Sequence, residues 1–252
     1  MTIDLTNINV LVTGASNGIG NAISRQLLES GANVALHYNT DYKSAQKLAQ
    51  EFPNQAVCFH GNLLHEIHCQ DLFEEMIGHF GKLDVIINNA GVFKSHPIDE
   101  SFENWWEVWQ QTMNINLNSA AILTKLGLSH FMEFGGGKII YIASRAAFRG
   151  ETEEYLAYAA SKGGMVSLAK SVARSFGKYN ITSFVIAPGY TRTDMSESYI
   201  RENGEEGILK EISLNELTKP QDIAPVITLI CSGKMNHATG TTIDFNAGSY
   251  MH

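Results

Sequence analysis

Short apolar segments recur along this chain, and the stretches between them are long enough to form helices. Seven such segments occur, at residues 10–12, 34–36, 56–59, 85–87, 138–142, 182–186 and 241–245. Strands that are apolar along their whole length, rather than at alternate residues, are typical of parallel sheets covered on both faces. The sequence therefore predicts an α/β fold, with a doubly wound, seven-stranded parallel sheet and helices on both faces.

The chain shows no sign of a division into separate domains. Its 252 residues contain no Pro/Gly/Ser-rich linker, no repeat and no low-complexity tract, so we expect a single domain over residues 1–252. One polar segment, at about residues 190–216, has few apolar anchors and lies late in the predicted order of strands. We expect a mobile lid or short helices there.

Composition and charge exclude several classes of protein. The hydrophobic share of 44% and charged share of 17% are ordinary for a soluble globular protein, and the net charge of -8 argues against nucleic-acid binding. We find no basic leader with an apolar stretch and no apolar run of membrane-spanning length, so we expect neither secretion nor a membrane protein. The three scattered cysteines, without a CxxC pair, indicate a reducing compartment, and we predict a cytoplasmic location.

A group of potential metal ligands lies in the middle of the first half of the chain. It consists of His60, His65, His68 and Cys69. The spacing is not that of a helical zinc motif, and no distant residues complete a ligand set. We therefore predict no metal site.

A glycine-rich loop, Thr13-Gly14-Ala15-Ser16-Asn17-Gly18-Ile19-Gly20, joins the first predicted strand to a helical pattern. Glycines in this context allow a tight turn and a close approach of the backbone to a pyrophosphate, which the helix N-terminus also attracts. The spacing is Gly-x-x-x-Gly-x-Gly, and the loop lacks the Gly-Lys-Ser/Thr of a Walker A motif. The sequence indicates a dinucleotide site; a glycine-rich turn without a ligand is the alternative.

Tyr158 and Lys162 are four residues apart, about one turn of a helix, so a helix would present both side chains on one face. A nearby ammonium group favours the phenolate and lowers the pKa of a phenol. Such a tyrosine can exchange protons closer to neutral pH than its ordinary pKa of about 10 allows. The pair by itself is equally compatible with a solvated helix face.

In combination, these segments resemble the short-chain dehydrogenase/reductase family, over essentially the whole chain. The motifs that carry the resemblance, in the family's order, are the glycine loop, Asn88-Asn89-Ala90-Gly91, Ser144, Tyr158-x-x-x-Lys162 and Pro188-Gly189. The sequence looks most like the compact bacterial type, such as 3-oxoacyl-carrier-protein reductases and glucose-dehydrogenase-like enzymes. Such proteins have a Rossmann fold, here with a cofactor half at about 1–135 and a catalytic half at about 136–252.

The resemblance implies an NAD(P)-dependent oxidoreductase that transfers a hydride between a nicotinamide cofactor and a small-molecule carbonyl or alcohol substrate. Tyr158 would be the general acid or base. Lys162 would lower the pKa of Tyr158 and hold the nicotinamide ribose, and Ser144 would bind the substrate oxygen. Asn116, with Trp109 seven residues before it, would hold through its backbone carbonyl a water that links Lys162 to solvent. Relatives usually form homotetramers through two long helices, here at about 104–134 and 158–179.

The cofactor-binding residues carry over in the same way. Besides Tyr158 and Lys162 they are Gly14, Ser16, Asn17, Gly18, Ile19, Gly20, Tyr38, Asn39, Asn62, Leu63, Asn89, Ala90, Gly91, Pro188, Gly189, Thr191 and Thr193. Tyr38 stands where relatives that prefer NAD carry an acid, and Asn39 stands where those that prefer NADP carry an arginine. The missing acid favours NADP(H), whereas the missing cations and nearby Asp41 leave use of both cofactors open.

The substrate itself is not marked by a motif. Positions after strand ends predict a pocket wall of Phe93, Lys94, His96, Arg145, Phe148, Glu151, Tyr155 and Tyr190, suited to a polar carbonyl compound such as a 3-oxoacyl thioester or a small ketone. A non-catalytic NAD(P)-binding sensor of the same fold is an alternative function, although Ser144, Tyr158 and Lys162 are all present. A dehydratase or epimerase of the family is a second alternative.

Overall fold

The computed structural model describes residues 3–193, 196–197, 200 and 204–251. Seven parallel strands form one sheet in the order β3-β2-β1-β4-β5-β6-β7. The strands are β1 (Asn9–Val12), β2 (Asn33–Tyr38), β3 (Ala56–His60), β4 (Val85–Asn88), β5 (Gly137–Ile142), β6 (Ile181–Pro188) and β7 (Thr242–Phe245). The predicted seven-stranded parallel sheet is confirmed, with every strand within a few residues of its apolar segment.

Helices connect the strands. They are α1 (Gly18–Glu29), α2 (Tyr42–Glu51), α3 (Glu66–Phe80), α4 (Phe102–Met113), α5 (Ser119–Glu133), α6 (Ala146–Arg149), α7 (Leu156–Phe176), α8 (Glu205–Leu209) and α9 (Pro220–Cys231). A single wide turn of π-helix, Asn114–Asn118, joins α4 to α5. The helix expected at 104–134 is therefore interrupted in the middle.

Strands β1, β4 and β6 are buried along their whole length, as the unbroken apolar segments predicted. Val10 and Val12 point into one core, together with apolar residues of α1 and α9. Leu11, between them, points into a second core with residues of α3, α5 and α7. Because successive side chains of a strand face opposite sides, a strand covered on both sides must be apolar at every position.

The order of the strands determines where a ligand can bind. Strand β1 pairs with β2 on one side and with β4 on the other, so the chain changes its direction across the sheet at β1. The loops that follow β1 and β4 therefore diverge and leave a crevice at the carboxyl ends of the strands. Open α/β sheets bind their ligands at this kind of position.

The polar segment at 190–216 is partly ordered. Thr191 forms an isolated bridge with Thr218, and α8 lies within the segment. Ile208 packs with Ile200 and Leu217 in a small apolar cluster of its own. Short helices are thus present, whereas residues 194–195, 198–199 and 201–203 lie outside the described residues. Among the helices described, none has the length and apolar character needed to cross a bilayer.

Candidate active site

A cleft of about 440 Å³ opens at the carboxyl ends of the strands. It collects most of the residues that the sequence predicted for the cofactor and the chemistry. These are Gly14, Ser16, Asn17, Gly18, Ile19, Gly20, Asn39, Asn62, Leu63, Asn89, Ala90, Gly91, Ser144, Tyr158, Lys162, Pro188, Gly189, Thr191 and Thr193. The glycine loop and the Tyr158–Lys162 pair, far apart in the chain, thus share one cavity.

The glycine loop has a backbone that requires glycine. Gly14 and Gly18 have φ values of +64° and +54°, in the left-handed region that side chains disfavour. Gly20 is constrained by space instead, because a Cβ there would collide with the carbonyl oxygen of Gly14 and the side chain of Asn89. The loop is therefore held close against the chain that follows β4.

Hydrogen bonds to the chain that follows β4 fix the loop. The hydroxyl of Thr13 accepts the backbone N–H groups of Asn89 and Ala90, both at 2.9 Å. Asn89 Nδ2 donates to the carbonyl oxygens of Thr13 at 2.8 Å and Gly14 at 3.1 Å. The Asn88–Gly91 motif thus acts as a brace for the glycine loop, in addition to lining the cleft.

His37 is a buried residue of the cleft that the sequence did not single out. Its Nδ1 accepts the backbone N–H of Gly14 at 3.0 Å, and its Nε2 lies 2.9 Å from the carbonyl oxygen of Gly61. These partners require a neutral ring with the proton on Nε2. Burial lowers the pKa of His37 to about 4. The imidazole therefore ties the glycine loop to the end of β3.

Tyr158 lies near the start of α7, and its phenol is within hydrogen-bonding range of the Ser144 side chain at the end of β5. Burial raises the pKa of Tyr158 to about 12, and the bond to Ser144 opposes that rise. The carboxylate of Glu151 raises the pKa further. The expected lowering of this pKa by Lys162 is therefore not found in the free protein, because desolvation of the phenol dominates.

Lys162 is buried one turn below Tyr158, with 3% of its surface exposed. Its ammonium group donates to the carbonyl oxygen of Ile142 at 2.8 Å and lies 5.7 Å from the centre of the Tyr158 ring. Burial lowers the pKa of Lys162 to about 8. The pair shares one helix face, as its spacing predicted, but the ammonium is bonded to β5 rather than to the phenol.

Asn116 lies behind the cleft, in the π-helical turn between α4 and α5. Its Oδ1 accepts the backbone N–H of Val92 at 2.8 Å, and its Nδ2 donates to the Val92 carbonyl oxygen at 3.0 Å and to Ser161 Oγ at 3.1 Å. The side chain is fully buried and outside the cleft lining. It joins the loop after β4 to α7 next to Lys162. Such wide turns are frequent at functional sites.

Aromatic rings and two charged groups form the outer wall of the cleft, which we define as Phe93, Arg145, Glu151, Tyr155 and Tyr190. Phe93 stacks on Tyr155 with centroids 3.8 Å apart and meets the Tyr158 ring edge-on at 4.8 Å. The Arg145 guanidinium lies 4.2 Å from the centre of the Tyr190 ring. The outer wall surrounds the side of Tyr158 away from the glycine loop.

Four sequence predictions about side-chain position are wrong. Tyr38 packs against Tyr42 and His60, outside the cleft, because side chains alternate along β2 and His37 faces inward instead. Three predicted pocket residues are also absent from the lining. Lys94 bonds to Gln111 on α4, His96 is buried beside Trp105 and Trp109, and Phe148 packs against the second core.

His96 nevertheless supports the site. Its Nε2 accepts the backbone N–H of Ala157 at 3.0 Å, and its own backbone N–H donates to the carbonyl oxygen of Glu154 at 2.9 Å. These bonds fasten the loop after β4 to the start of α7, one residue before Tyr158. A histidine in an unpatterned loop gives no sequence signal of such a contact.

The inner part of the cleft has the donors that a dinucleotide requires. In the described structure of α1, Asn17 makes no side-chain cap and the first turn carries no acidic residue. The N–H groups and the positive end of the helix dipole there are thus available to a phosphate. Gly91 lets the loop after β4 pass close to two polar groups, since a Cβ there would lie 3.3 Å from Asn116 Oδ1 and 3.4 Å from Lys162 Nζ.

Comparisons with known proteins agree with this arrangement. A family model described as enoyl-(acyl carrier protein) reductase matches residues 14–250. A 3-oxoacyl-[acyl-carrier-protein] reductase of Staphylococcus aureus is 30% identical over 246 residues, covering 96% of this chain and 98% of the relative.

Solved structures give the same result. A dehydrogenase/reductase from Sinorhizobium meliloti has a TM-score of 0.89 at 27% identity, over 99% of this chain and 98% of that one. A short chain dehydrogenase from Burkholderia cenocepacia, in complex with NADP, has a TM-score of 0.87 at 25% identity, over 97% and 98%. From its fold, its cleft and these relatives, the chain belongs to the short-chain dehydrogenase/reductase family of NAD(P)-dependent oxidoreductases.

Proposed function

We propose that this oxidoreductase reduces the carbonyl group of a small polar compound, with NADP(H) as its preferred cofactor and Tyr158 as the general acid. The observation that carries the proposal is the meeting of Ser144, Tyr158 and Lys162 in the cleft that also holds the glycine loop. A nucleotide sensor would gain nothing from a phenol, a hydroxyl and an ammonium around one point of the cavity. Alcohol oxidation is the same chemistry in reverse.

Tyr158 supplies the proton. With a pKa of about 12 its phenol is protonated at neutral pH, so it can donate to the carbonyl oxygen as negative charge develops there. Ser144 donates a second hydrogen bond to that oxygen. When bound along the cleft, a reduced nicotinamide cofactor would supply the hydride, with its electron pair, for the carbonyl carbon. The carbonyl compound thereby becomes the alcohol, the cofactor would be left oxidised, and Tyr158 becomes a tyrosinate that regains its proton from solvent.

Lys162 holds the ribose of the nicotinamide nucleoside and keeps positive charge beside the tyrosinate. Its ammonium lines the cleft and donates to the carbonyl oxygen of Ile142 and, more weakly, to Met165 Sδ at 3.8 Å, which leaves a third N–H for the ribose hydroxyls. The tyrosinate formed on proton transfer is stabilised by this charge. Asn116 keeps α7 in register with the loop after β4 and, through its backbone carbonyl, holds a water on the path by which the proton returns.

The remaining cofactor contacts follow the cleft from the glycine loop to the end of β6. NADP(H) is favoured over NAD(H) because the cleft beside β2 is lined by Asn39 and Thr40, with no carboxylate at position 38 or 39 to repel a 2′-phosphate. Asp41 is nearby, but its carboxylate accepts the backbone N–H of Ser44 and caps α2. With these side chains at the end of β2, we expect a modest preference for NADP(H), with NAD(H) also used.

The protein functions as a cytoplasmic homotetramer. Two observations support this part of the proposal. On α4 the apolar side chains of Phe102 and Trp106 are 70% and 42% exposed, on one of the two helices through which relatives assemble. All three cysteines are free thiols, as a reducing compartment favours. Light scattering tests the assembly, and a monomer at micromolar concentration would contradict it.

Consumption of NADPH or NADH by the full-length protein tests the function. The substrates are small ketones, keto esters and 3-oxoacyl thioesters, compared with each cofactor alone. We expect carbonyl-dependent oxidation of the cofactor, faster with NADPH. Tight cofactor binding without turnover of any carbonyl compound would favour the sensor, and failure to bind either cofactor would contradict the function assigned to the glycine loop.

A further inference from the structure

The outer wall contains a buried cation that the chemistry above does not use. Arg145 follows Ser144 directly in the chain, lines the cleft, and has only 3% of its surface exposed. Its guanidinium carbon lies over the ring of Tyr190, 4.2 Å from the ring centre, and this cation–π contact helps to hold the group in place. Because Ser144 binds the reacting oxygen in the proposed function, Arg145 is placed to contact the part of the substrate next to the carbonyl.

Most hydrogen-bonding capacity of Arg145 is uncommitted. A guanidinium has five N–H donors. Among the described residues it donates one side-chain hydrogen bond, from an NH2 nitrogen to Glu211 Oε2 at the long distance of 3.4 Å. The side chain of Glu211 is 49% exposed, so solvent competes for it. The long distance and the exposed carboxylate make this a weak ion pair for a buried arginine, so another carboxylate can take the place of Glu211.

The other charged groups that line the cleft have partners elsewhere. Lys162 is bonded to Ile142, and Asp41 caps α2 at the far end of the cleft. Glu151, the carboxylate of the outer wall, has Arg149 as its partner at 3.4 Å. In the described part of the chain, Arg145 is therefore the cation of the outer wall that is available to a ligand.

We propose that the substrate is a keto acid, a carbonyl compound with a carboxylate a few bonds from the reacting carbon, and that Arg145 binds this carboxylate. This inference rests on the function proposed above. Arginine and carboxylate match as a bidentate pair, and burial strengthens their attraction. The incoming carboxylate takes the place of Glu211, which turns into solvent. Phe93, Tyr155 and Tyr190 then pack against the carbon skeleton.

The test compares oxo acids with their methyl esters, which have the same skeleton without the charge. Pentanoates with the ketone at carbon 2, 3 or 4 vary the distance between the carbonyl and the carboxylate. We expect the wild-type protein to reduce at least one acid with a higher kcat/KM than its ester. In Arg145→Gln, KM for that acid should rise about 10- to 100-fold, whereas the ester should be affected little.

Two further variants make the result specific. Glu211→Gln removes the competing carboxylate, so KM for the acid should fall about 2- to 5-fold. Arg174→Gln, at an exposed position on α7, removes a positive charge outside the cleft. KM should change neither for the acid nor for the ester. Calorimetric binding of the unreactive pentanoate, with NADP⁺ present, gives a readout without turnover. The affinity for pentanoate should be highest in Glu211→Gln, equal in the wild type and Arg174→Gln, and lowest in Arg145→Gln.

Each outcome has a distinct meaning. In one outcome, Arg145→Gln slows the reduction of acid and ester equally, and Glu211→Gln also slows both. Arg145 then only holds the segment around Glu211 in place, and the inference is overturned. Preference of the wild-type protein for the esters would overturn it as well. If neither acids nor esters are reduced but wild-type protein still binds pentanoate through Arg145, the inference stands and the proposed reduction fails.

Discussion

The ammonium group of Lys162 donates a hydrogen bond of 2.8 Å to the backbone carbonyl oxygen of Ile142, the last residue of strand β5. No carboxylate pairs with Lys162 among the described residues, and burial lowers the pKa of Lys162 to about 8. A charge is thus kept at the floor of the cleft without a counterion. Burying an ammonium group without a counterion lowers the stability of the fold, and this group lies beside Tyr158, where the proposed chemistry forms a tyrosinate.

Replacing Lys162 with Met should abolish turnover and stabilise the fold below pH 8. The unfolded chain keeps its Lys162 proton up to a pKa of about 10.5, whereas the folded chain loses it near 8. The unfolded state therefore binds more protons between these values, and the contribution of Lys162 to stability rises with pH across that window. We expect Lys162→Met to be more stable by about 3 kcal/mol at pH 7, with the difference vanishing near pH 10.5.

Denaturant unfolding of both proteins across this pH range measures the effect. Subtracting the unfolding free energy of the wild type from that of Lys162→Met removes the contribution of every group that titrates equally in both proteins. Lys170→Met, at an exposed position of the same helix, serves as the control and should show no such convergence. If the difference in unfolding free energy between the wild type and Lys162→Met stayed constant across the pH range, the pKa of Lys162 would not be lowered in the folded protein.

Replacing Gly20 with Ala should disrupt the glycine loop. The added Cβ would collide with the carbonyl oxygen of Gly14 and the side chain of Asn89, so the brace after β4 must shift. We expect NADPH affinity to fall at least about 10-fold, together with about 1–3 kcal/mol of stability. Gly78→Ala is the matched control on helix α3. Nothing described lies within 4 Å of its Cβ position, and the helix should gain about 0.5–1 kcal/mol.

His37 should make the fold sensitive to acid. Its pKa is about 4 in the folded protein and 6.5 in an unstructured chain, so between these values the unfolded state binds more protons. Stability is therefore lost as the pH falls from about 6.5 to 4, by up to about 3 kcal/mol. His37→Asn keeps an acceptor for the N–H of Gly14 without titrating, so it should flatten this part of the stability curve although it loses the bond to Gly61.

Unfolding by urea at a series of pH values tests the role of His37. The exposed His237→Asn should follow the wild-type curve. If His37→Asn and wild type lose stability in parallel below pH 6.5, the ring is not the group responsible.

The sequence predicted the sheet and the class of NAD(P)-dependent oxidoreductase, but it did not predict the contacts that support the cleft. Strand β1 is apolar along most of its length and precedes a glycine loop, a pattern that very few folds accommodate. Tyr158 and Lys162 are four residues apart on α7, so local geometry alone brings them together. His37 and His96, in contrast, act through backbone groups of residues distant in the chain. Such contacts depend on how loops meet after folding, and leave no periodic pattern.

The positions of Tyr38 and Asn116 illustrate the same limit. Counting residues along β2 correctly places Tyr38 at the end of the strand. Because side chains alternate between the two faces of a strand, however, the ring of Tyr38 lies against Tyr42. The sequence identified Asn116 through its neighbours and assigned it a role for its backbone carbonyl. The three side-chain hydrogen bonds of Asn116 arise from a π-helical turn, which no propensity of Asn114–Asn118 predicts.

Changing Asn116 to Asp should uncouple the loop after β4 from α7. The new carboxylate keeps an acceptor for the N–H of Val92, but it cannot donate to the Val92 carbonyl oxygen or to Ser161. A buried charge facing a carbonyl oxygen should cost about 3 kcal/mol or more of stability and reduce kcat. Asn118→Asp, at an exposed position of the same turn, is the control. Equal melting temperatures for the two variants would refute this role of the Asn116 amide.

Rapid mixing of NADPH-loaded protein with a reducible ketone tests the central claim most directly, by comparing Tyr158→Phe with wild type in a single turnover. Tyr179→Phe, which removes a hydroxyl at the exposed end beyond α7, is the matched control. We predict that Tyr158→Phe binds NADPH with wild-type affinity and oxidises it at least about 1,000-fold more slowly, while Tyr179→Phe reacts normally. Oxidation by Tyr158→Phe at the wild-type rate would show that another group donates the proton, and that the assignment of Tyr158 is wrong.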